Sequence, residues 1–170
     1  NTTAEVLAKL KPVFNPTGTI TAGNASAISD GAAALVLMSK QNADKLGLEY
    51  LAEIVSHGSV AGPDTALHEQ PANAINAALA KAKLKISDLD LFEINEAFAA
   101  VSAVSMNKLG ISADVTNVNG GAIAIGHPVG ASGARLLTTL IFELKRRGGG
   151  LGAAALCGGT GQGDAIIVKV

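Results

Sequence analysis

The sequence predicts an α/β fold in which helices pack on both faces of a largely parallel sheet. From residue 51 onward, apolar runs of strand length alternate with segments in which apolar residues recur at helical spacing. Hydrophobic residues make up 48% of the chain and aromatic residues only 3%, so the interior must be built from Ala, Val, Ile and Leu. Twenty glycines allow many tight turns, a composition typical of α/β layers with small residues at helix–sheet contacts.

The first fifty residues form a turn-rich region with short predicted elements. We expect residues 1–10 to hold the end of a helix, residues 32–39 to form an apolar strand and residues 41–46 to form a short helix. The pattern becomes regular only after these elements. We therefore expect residues 1–49 to belong to a preceding domain and residues 50–170 to form the main domain.

The second region contains the alternating strands and helices. Pro71 stands at a favoured first-turn position of one helix, and Asn95 and Ser132 are candidate N-caps of the two later helices. The stretch 120–130 is predicted to be an irregular, glycine-rich loop. The last two strands lack an intervening helix, so they either form an antiparallel hairpin or lie further apart. The predicted strands are 52–60, 90–94, 115–118, 152–156 and 165–170.

Charge and composition argue against several classes of function. The formal net charge is −1 and no basic face carries interleaved aromatic residues, so nucleic-acid binding is not expected. No apolar run reaches transmembrane length and no signal peptide is visible, so no membrane partner is expected. The single cysteine excludes an intrachain disulfide and fits a reducing, cytoplasmic compartment. The three histidines lack metal-ligand spacing, and the glycine-rich segments match neither a dinucleotide fingerprint nor a P-loop, so no metal or cofactor is expected.

Three polar residues, Asn95, His127 and Cys157, fall at turns between predicted elements, where sites of α/β sheets gather. His127 lies between Gly126 and Pro128 in a loop, where a histidine can serve as a general base. Cys157 precedes a glycine-rich turn whose N–H groups could face an oxyanion. From residue type alone, each also has a structural interpretation: an N-cap asparagine, a histidine bonded to backbone, and a small buried cysteine.

Four sequence blocks, taken together and in order, resemble those of the thiolase family. The resemblance covers essentially the whole chain and implies a thiolase-like layered fold, mostly the C-terminal domain with a piece of the preceding domain. The blocks are Gly23-Asn24-Ala25-Ser26 through Asp30-Gly31-Ala32-Ala33-Ala34, Asn95-Glu96-Ala97-Phe98-Ala99-Ala100, Asn119-Gly120-Gly121-Ala122-Ile123-Ala124-Ile125-Gly126-His127-Pro128 followed by Gly130-Ala131-Ser132-Gly133-Ala134-Arg135, and Cys157-Gly158-Gly159-Thr160-Gly161-Gln162-Gly163.

The resemblance implies reversible Claisen condensation or thiolysis of acyl-CoA thioesters, most simply of acetyl-CoA to acetoacetyl-CoA. Coenzyme A thioesters are then substrates, and no cofactor is implied. His127 matches the histidine that activates the nucleophile, and Cys157 matches the acid/base cysteine. Asn95 matches the residue that holds a water in the first oxyanion hole, and the N–H of Gly159 matches a donor of the second. We therefore expect His127 and Cys157 to lie within a few Å of each other, with Asn95 lining the same cavity.

Four further residues are implied to contact the substrate. Ala22, Ser26 and Phe98 match contacts to the pantetheine arm of CoA. Leu67 stands where relatives often carry methionine, so it bears on the shape of the pocket.

The sequence departs from the family in having one cysteine, in the context of the acid/base residue. The family's nucleophilic cysteine belongs to an N-terminal half, so the resemblance implies an incomplete enzyme that needs this half as partner and forms a homo-oligomer, either a dimer or a tetramer. Three alternatives stay open: a non-catalytic thiolase-like scaffold, a degradative 3-ketoacyl-CoA thiolase, and a β-ketoacyl synthase. The synthase is disfavoured because it typically carries histidine or asparagine where this chain has Cys157.

Overall fold

A computed structural model describes residues 2–170 as six helices, four strands and two 3-10 turns. Most of the regular structure follows residue 52, as the sequence pattern predicts. The helices are α1 Ala4–Leu7, α2 Lys40–Lys45, α3 Gln70–Ala82, α4 Ala99–Leu109, α5 Ala122–Ile125 and α6 Ser132–Arg146. The strands are β1 Glu53–Ala61, β2 Leu91–Ile94, β3 Leu151–Gly158 and β4 Gln162–Lys169, and the 3-10 turns are Ile86–Asp88 and Ala113–Val115.

The four strands form one sheet in the order β1-β4-β3-β2. The parallel pairing is between β2 and β3, whereas β4 runs antiparallel to both β3 and β1. The expectation of a largely parallel sheet is therefore wrong for two of the three pairings. The cause is the short turn between β3 and β4, which can only close an antiparallel hairpin, because a parallel connection needs a crossover. Since β1 then pairs with β4, the strands β1, β2 and β3 still share one direction.

Helices cover both faces of the sheet, as predicted. Each face of the sheet carries its own hydrophobic cluster, and alternate residues of β2 contribute to different clusters. Phe92 and Ile94 pack in the cluster with α3, and Leu91 packs in the cluster with α6. The small side chains allow close approach, because a Cβ on Gly58 of β1 would overlap the backbone of α3 at Ala74. Glycine at this position thus lets α3 lie directly on the antiparallel edge of the sheet.

Two predicted strands do not form. The run 32–39 carries no strand, and its apolar side chains are exposed, with Val36 at 88% and Leu37 at 72%. A strand requires a neighbour for its backbone groups, and no described residue pairs with this run. Residues 115–118 contribute only an isolated bridge between Phe92 and Thr116. Here Asn117 has a φ of +50°, which turns the backbone out of the strand conformation.

Several helix boundaries differ from the sequence-based expectations. The opening helix is a single turn within 2–10, and the loop 120–130 contains the short helix α5. Asn95 is not an N-cap, because α4 begins four residues later with Phe98 at its N-cap. Ser132 is the first residue of α6 and its hydroxyl makes no capping bond. Both polar side chains are used elsewhere, at the edge of the sheet.

Candidate active site

The carboxyl ends of the two parallel strands bring Asn95 and Cys157 to the same edge of the sheet. Asn95 directly follows β2, is only 1% exposed, and donates its backbone N–H to the carbonyl of Ala155 over 2.9 Å. Cys157 lies two residues further along β3 and is half-buried. The expected closeness of Cys157 to His127 stays a prediction.

His127 is held in the loop between α5 and α6 by a constrained backbone. The preceding Gly126 has a φ of +97°, and a Cβ there would overlap the hydroxyl of Ser29. The backbone N–H of His127 donates to the carbonyl of Ala27 over 3.2 Å. The loop is therefore fastened to the segment around residues 27–29, which belongs to the first fifty residues.

The hydroxyl of Ser132 lies against Nδ1 of His127. Ser132 is fully buried, and its Oγ donates to the carbonyl of Pro128 over 3.0 Å. In the arrangement in which the hydroxyl proton lies toward Pro128, Oγ accepts at its second contact, which is 2.7 Å from His127 Nδ1. In this tautomer a neutral His127 carries its proton on Nδ1 and its lone pair on Nε2.

Asn95 faces that lone pair. Its side-chain Nδ2 lies 3.2 Å from His127 Nε2, where an amide N–H donates to the unprotonated ring nitrogen. The two predicted site residues are thus in direct contact, and that they line one cavity with Cys157 stays a prediction. The arrangement presents a nitrogen base and a hydrogen-bond donor side by side.

Arg135 and Glu93 lie behind Asn95 and were not singled out from the sequence. The guanidinium of Arg135 on α6 donates to Asn95 Oδ1 over 3.3 Å and to Glu93 Oε2 over 3.4 Å. A signal was present for Glu93, since it precedes Asn95 by two residues and so shares its face of the strand. Arg135 follows Ser132 by three residues, which places both side chains on one face of α6.

Burial shifts the titration of the groups around this edge. It lowers the pKa of His127, and the charge of Arg135 lowers it further, so the ring is neutral at neutral pH. Burial raises the pKa of the Cys157 thiol, which keeps the thiol protonated. Burial also raises the pKa of Glu93 to about 7, against the effect of Arg135 and with a smaller contribution from Glu96. The edge thus offers an unprotonated imidazole and a protonated thiol.

Glu96 joins the asparagine and histidine blocks. Its carboxylate accepts the N–H of Ile123 over 3.1 Å and a side-chain N–H of Asn117 over 3.1 Å. A Cβ on Gly121 would overlap this carboxylate, so a larger residue there would displace the carboxylate from its present contacts. Glu96 precedes α4, which begins at Ala99, so its carboxylate serves these loop contacts and not the first turn of the helix.

The segment that resembles the pantetheine-binding block lies along the same edge. Ser26 donates both its N–H and its hydroxyl to the carbonyl of Ala97, over 3.1 and 3.0 Å. Ala25 forms a bridge with Phe98, whose ring packs edge-on against Phe14 at 6.1 Å between ring centroids. Ser26 and Phe98 are therefore neighbours.

The other two predicted substrate residues lie in separate loops. Ala22 is exposed in the turn that precedes this segment. Leu67 lies half-buried between β1 and α3, in a loop that contacts the β3–β4 turn, where Gly62 N–H donates to the carbonyl of Gly161 over 3.0 Å. That turn also contains Gly159, which is exposed.

Searches for other kinds of site found little in the described part of the chain. Within residues 2–170, no group of three or more His, Cys, Asp or Glu side chains is arranged to hold a metal ion. No helix in this range has the length and apolar character that crossing a membrane requires.

Comparison with known proteins agrees with the sequence blocks. A family model described as thiolase, C-terminal domain, matches residues 48–170, and one described as thiolase, N-terminal domain, matches residues 1–41. The chain is 58% identical to a probable acetyl-CoA acetyltransferase of Mycobacterium tuberculosis, over 99% of this chain and 43% of that protein.

Solved structures of relatives share the fold. The crystal structure of Bacillus anthracis acetyl-CoA acetyltransferase superposes with a TM-score of 0.94 at 46% identity, over 98% of this chain and 42% of that one. Human mitochondrial 3-ketoacyl-CoA thiolase in complex with CoA superposes with a TM-score of 0.90 at 43% identity, over 99% and 42%. The chain thus spans less than half the length of these relatives, and its fold and its sequence agree: it belongs to the thiolase family.

Proposed function

We propose that this chain supplies the histidine, the acid/base cysteine and two oxyanion-hole groups of a thiolase active site that makes or cleaves acetoacetyl-CoA. The observation that carries the proposal is the 3.2 Å contact between Asn95 Nδ2 and His127 Nε2, at the edge of the sheet to which β3 brings Cys157. The names of the bacterial relatives support acetyl-CoA as the substrate.

His127 acts first, as the base that activates a nucleophilic thiol. That thiol comes from a thiolase N-terminal half, because the one cysteine of this chain is Cys157. Nε2 of His127 releases the N–H of Asn95 and takes the thiol proton, and the thiolate attacks the carbonyl of acetyl-CoA. The new C–S bond forms as the CoA thiolate leaves, and His127 returns the proton to CoA.

Cys157 acts in the second half of the reaction. In the synthetic direction the Cys157 thiol first gives up its proton, and its thiolate then removes the α-proton of a second acetyl-CoA. The enolate carbon attacks the acyl group, and the nucleophilic cysteine leaves as a thiolate that takes up the proton given up by Cys157. In the cleavage direction the thiol of Cys157 protonates the enolate of the departing acetyl-CoA. The protonated thiol, which burial favours, is the form required for that step.

Oxyanions develop on the thioester oxygens in both half-reactions, and hydrogen-bond donors must face them. A water held by Asn95, together with His127, stabilises one, and the N–H of Gly159 stabilises the other. Ala22, Ser26, Leu67 and Phe98 contact the pantetheine arm, an assignment supported by the bonds that hold Ser26 and the strand bridge of Phe98 at the site's edge.

The proposed assembly follows from these roles. The functional unit combines this chain with a thiolase N-terminal half and forms a homo-oligomer, and residues 1–49 and 50–170 belong to its first and second domains. A cytoplasmic location fits the half-buried, unpaired Cys157.

The test is an acyl-trapping experiment on a polypeptide that joins this chain to a thiolase N-terminal domain. Cys157→Ser should abolish most condensation while the nucleophilic cysteine still carries an acetyl group after incubation with acetyl-CoA, measured by peptide mass spectrometry. His127→Ala should prevent the adduct itself. A native enzyme acetylated on residue 157, or a Cys157→Ser enzyme without any adduct, would refute the proposed roles.

A further inference from the structure

An asparagine amide can bind with either end, and only one orientation suits this site. Asn95 must present Nδ2 to the lone pair of His127 Nε2, because Oδ1 in that position would place two acceptors 3.2 Å apart. The two orientations have almost the same shape, so packing cannot choose between them. The choice must come from the group that faces the other end of the amide.

That group is Arg135. A guanidinium has donors and no acceptor, so the amide atom that faces it must be the oxygen. The 3.3 Å contact from Arg135 to Asn95 Oδ1 therefore turns Nδ2 toward His127.

Glu93 holds the guanidinium in place. Its side chain is 3% exposed, that of Arg135 is 19% exposed, and the two lie 3.4 Å apart. Such an ion pair is a poor source of stability, because removing both charges from water costs about as much as their attraction returns. The Nε of Arg135 adds to the cost, since it is buried without a hydrogen-bond partner among residues 2–170.

The turn of α6 that carries Arg135 also contacts His127, the other member of the Asn95–His127 contact. Ser132 and Arg135 are three residues apart, and Ser132 fixes the proton of His127 on Nδ1 while Arg135 faces Asn95 Oδ1. One helical turn thus makes Nε2 an acceptor and Nδ2 a donor. An acceptor on His127 therefore faces a donor on Asn95, as a preorganised hydrogen-bonded pair requires.

We propose that Arg135, anchored by Glu93, is a positioning residue that selects the orientation of the Asn95 amide and so presents its N–H groups to His127 and to the water of the first oxyanion hole. Arg135 does not touch the reacting atoms and acts through Asn95. This inference rests on the proposed function for its kinetic consequence, but the orientation itself is a property of this chain.

The kinetic test is a double-mutant cycle in the polypeptide that joins this chain to a thiolase N-terminal domain. Arg135→Met should lower kcat about 10- to 100-fold and change KM for acetyl-CoA less than about threefold, because a misplaced donor affects the transition state most. Arg135→Lys, which keeps a charged donor, should recover most of the loss. Adding Arg135→Met to Asn95→Ala should cause no further loss, since the effect passes through the missing amide.

The matched control is Arg146→Met on the last turn of the same helix, where the arginine is exposed and pairs with Glu143. This variant should keep native kcat. A purely structural role for Arg135 would instead slow the Asn95→Ala enzyme by the same factor as the native one, and that result, or an unchanged kcat in Arg135→Met, would overturn the inference.

A second measurement separates this inference from the proposed activity. In the isotope-labelled 170-residue chain, the Asn95 side-chain amide protons should show nuclear Overhauser effects to the ring protons of His127, and Arg135→Met should abolish them. Native effects that persist in Arg135→Met would overturn the positioning role. If they disappear as expected but the joined native enzyme does not condense acetyl-CoA, the positioning role is supported and the proposed function fails.

Discussion

The edge of the sheet around Asn95 and the apolar run 32–39 show opposite relations between polarity and burial. Asn95 is polar and 1% exposed, and it bonds to backbone, to His127 and to Arg135. Val36 and Leu37 are apolar, yet 88% and 72% exposed. Burial in this chain therefore depends on available partners as much as on residue type. The polar site is already organised by described residues, whereas the apolar run is an exposed surface of the kind that favours association.

His127→Ala should have the largest effect on the organised edge. It removes the base whose lone pair is prepared by Ser132, so the rate of acylation should fall about 10²- to 10⁴-fold in the joined polypeptide. Rapid-quench mass spectrometry of the acetyl adduct measures this rate. His57→Ala on β1, where the exposed ring contacts Lys81, serves as control and should keep the native rate. Equal acylation rates in the His127→Ala and His57→Ala variants would show that His127 is not the base.

Glu93→Gln should change how stability depends on pH. The pKa of Glu93 rises from 4.5 to about 7 on folding, because burial disfavours its charged form. The folded state therefore binds this proton more tightly, and the contribution to stability is complete below pH 4.5 and is lost as the pH rises through about 7. The loss amounts to about 3 kcal/mol, since one pKa unit corresponds to about 1.4 kcal/mol.

Urea unfolding at pH 5 and pH 8 measures this difference. The Gln variant should lose less stability than the native protein over this interval, and Glu49→Gln, in an exposed position, should behave like the native protein. A Gln variant with the native pH dependence would show that Glu93 keeps its ordinary titration.

Ser132→Ala should produce a smaller kinetic effect. Without the hydroxyl, the proton of His127 is free to occupy either ring nitrogen. The productive tautomer is then less populated and the ring is held less firmly, so kcat should fall about tenfold. Nitrogen-15 shifts of the histidine ring report the change directly. The control is Ser56→Ala, a buried serine whose hydroxyl donates to the carbonyl of Ala78 between β1 and α3. If both variants lose kcat equally, the loss reflects general destabilisation.

Leu37→Ser should have the smallest effect on folding. Leu37 is 72% exposed, so the free energy of unfolding should change by less than about 0.5 kcal/mol, while self-association of the chain should decrease. Leu140→Ala in α6, at 1% exposure, should by contrast cost about 2–5 kcal/mol. Denaturation curves and light scattering test the pair. A large loss of stability in Leu37→Ser would mean that the run 32–39 is packed.

Much of the main domain was predictable from periodicity and short motifs. The helix that contains Pro71, the strand that leads to Asn95 and the helix after His127 all formed near their predicted bounds, because apolar spacing and local breakers act within a few residues. The family blocks also pointed to Asn95 and His127, and these two are in contact. The direction of β4 was left open, because the absence of a helix between the last two strands allowed either an antiparallel hairpin or two separated strands.

Residue chemistry and local spacing were enough to predict the α/β layers, the thiolase resemblance and the candidate site residues, since these are properties of the order of amino acids along the chain. Only the tertiary structure decided that Ser132 and Asn95 contact His127 and do not cap helices. It also placed Arg135 against the Asn95 amide and Glu93 against Arg135. The physical reason is that a polar side chain bonds to the partner that folding brings within about 3 Å, and such partners lie on strands and helices far apart in sequence.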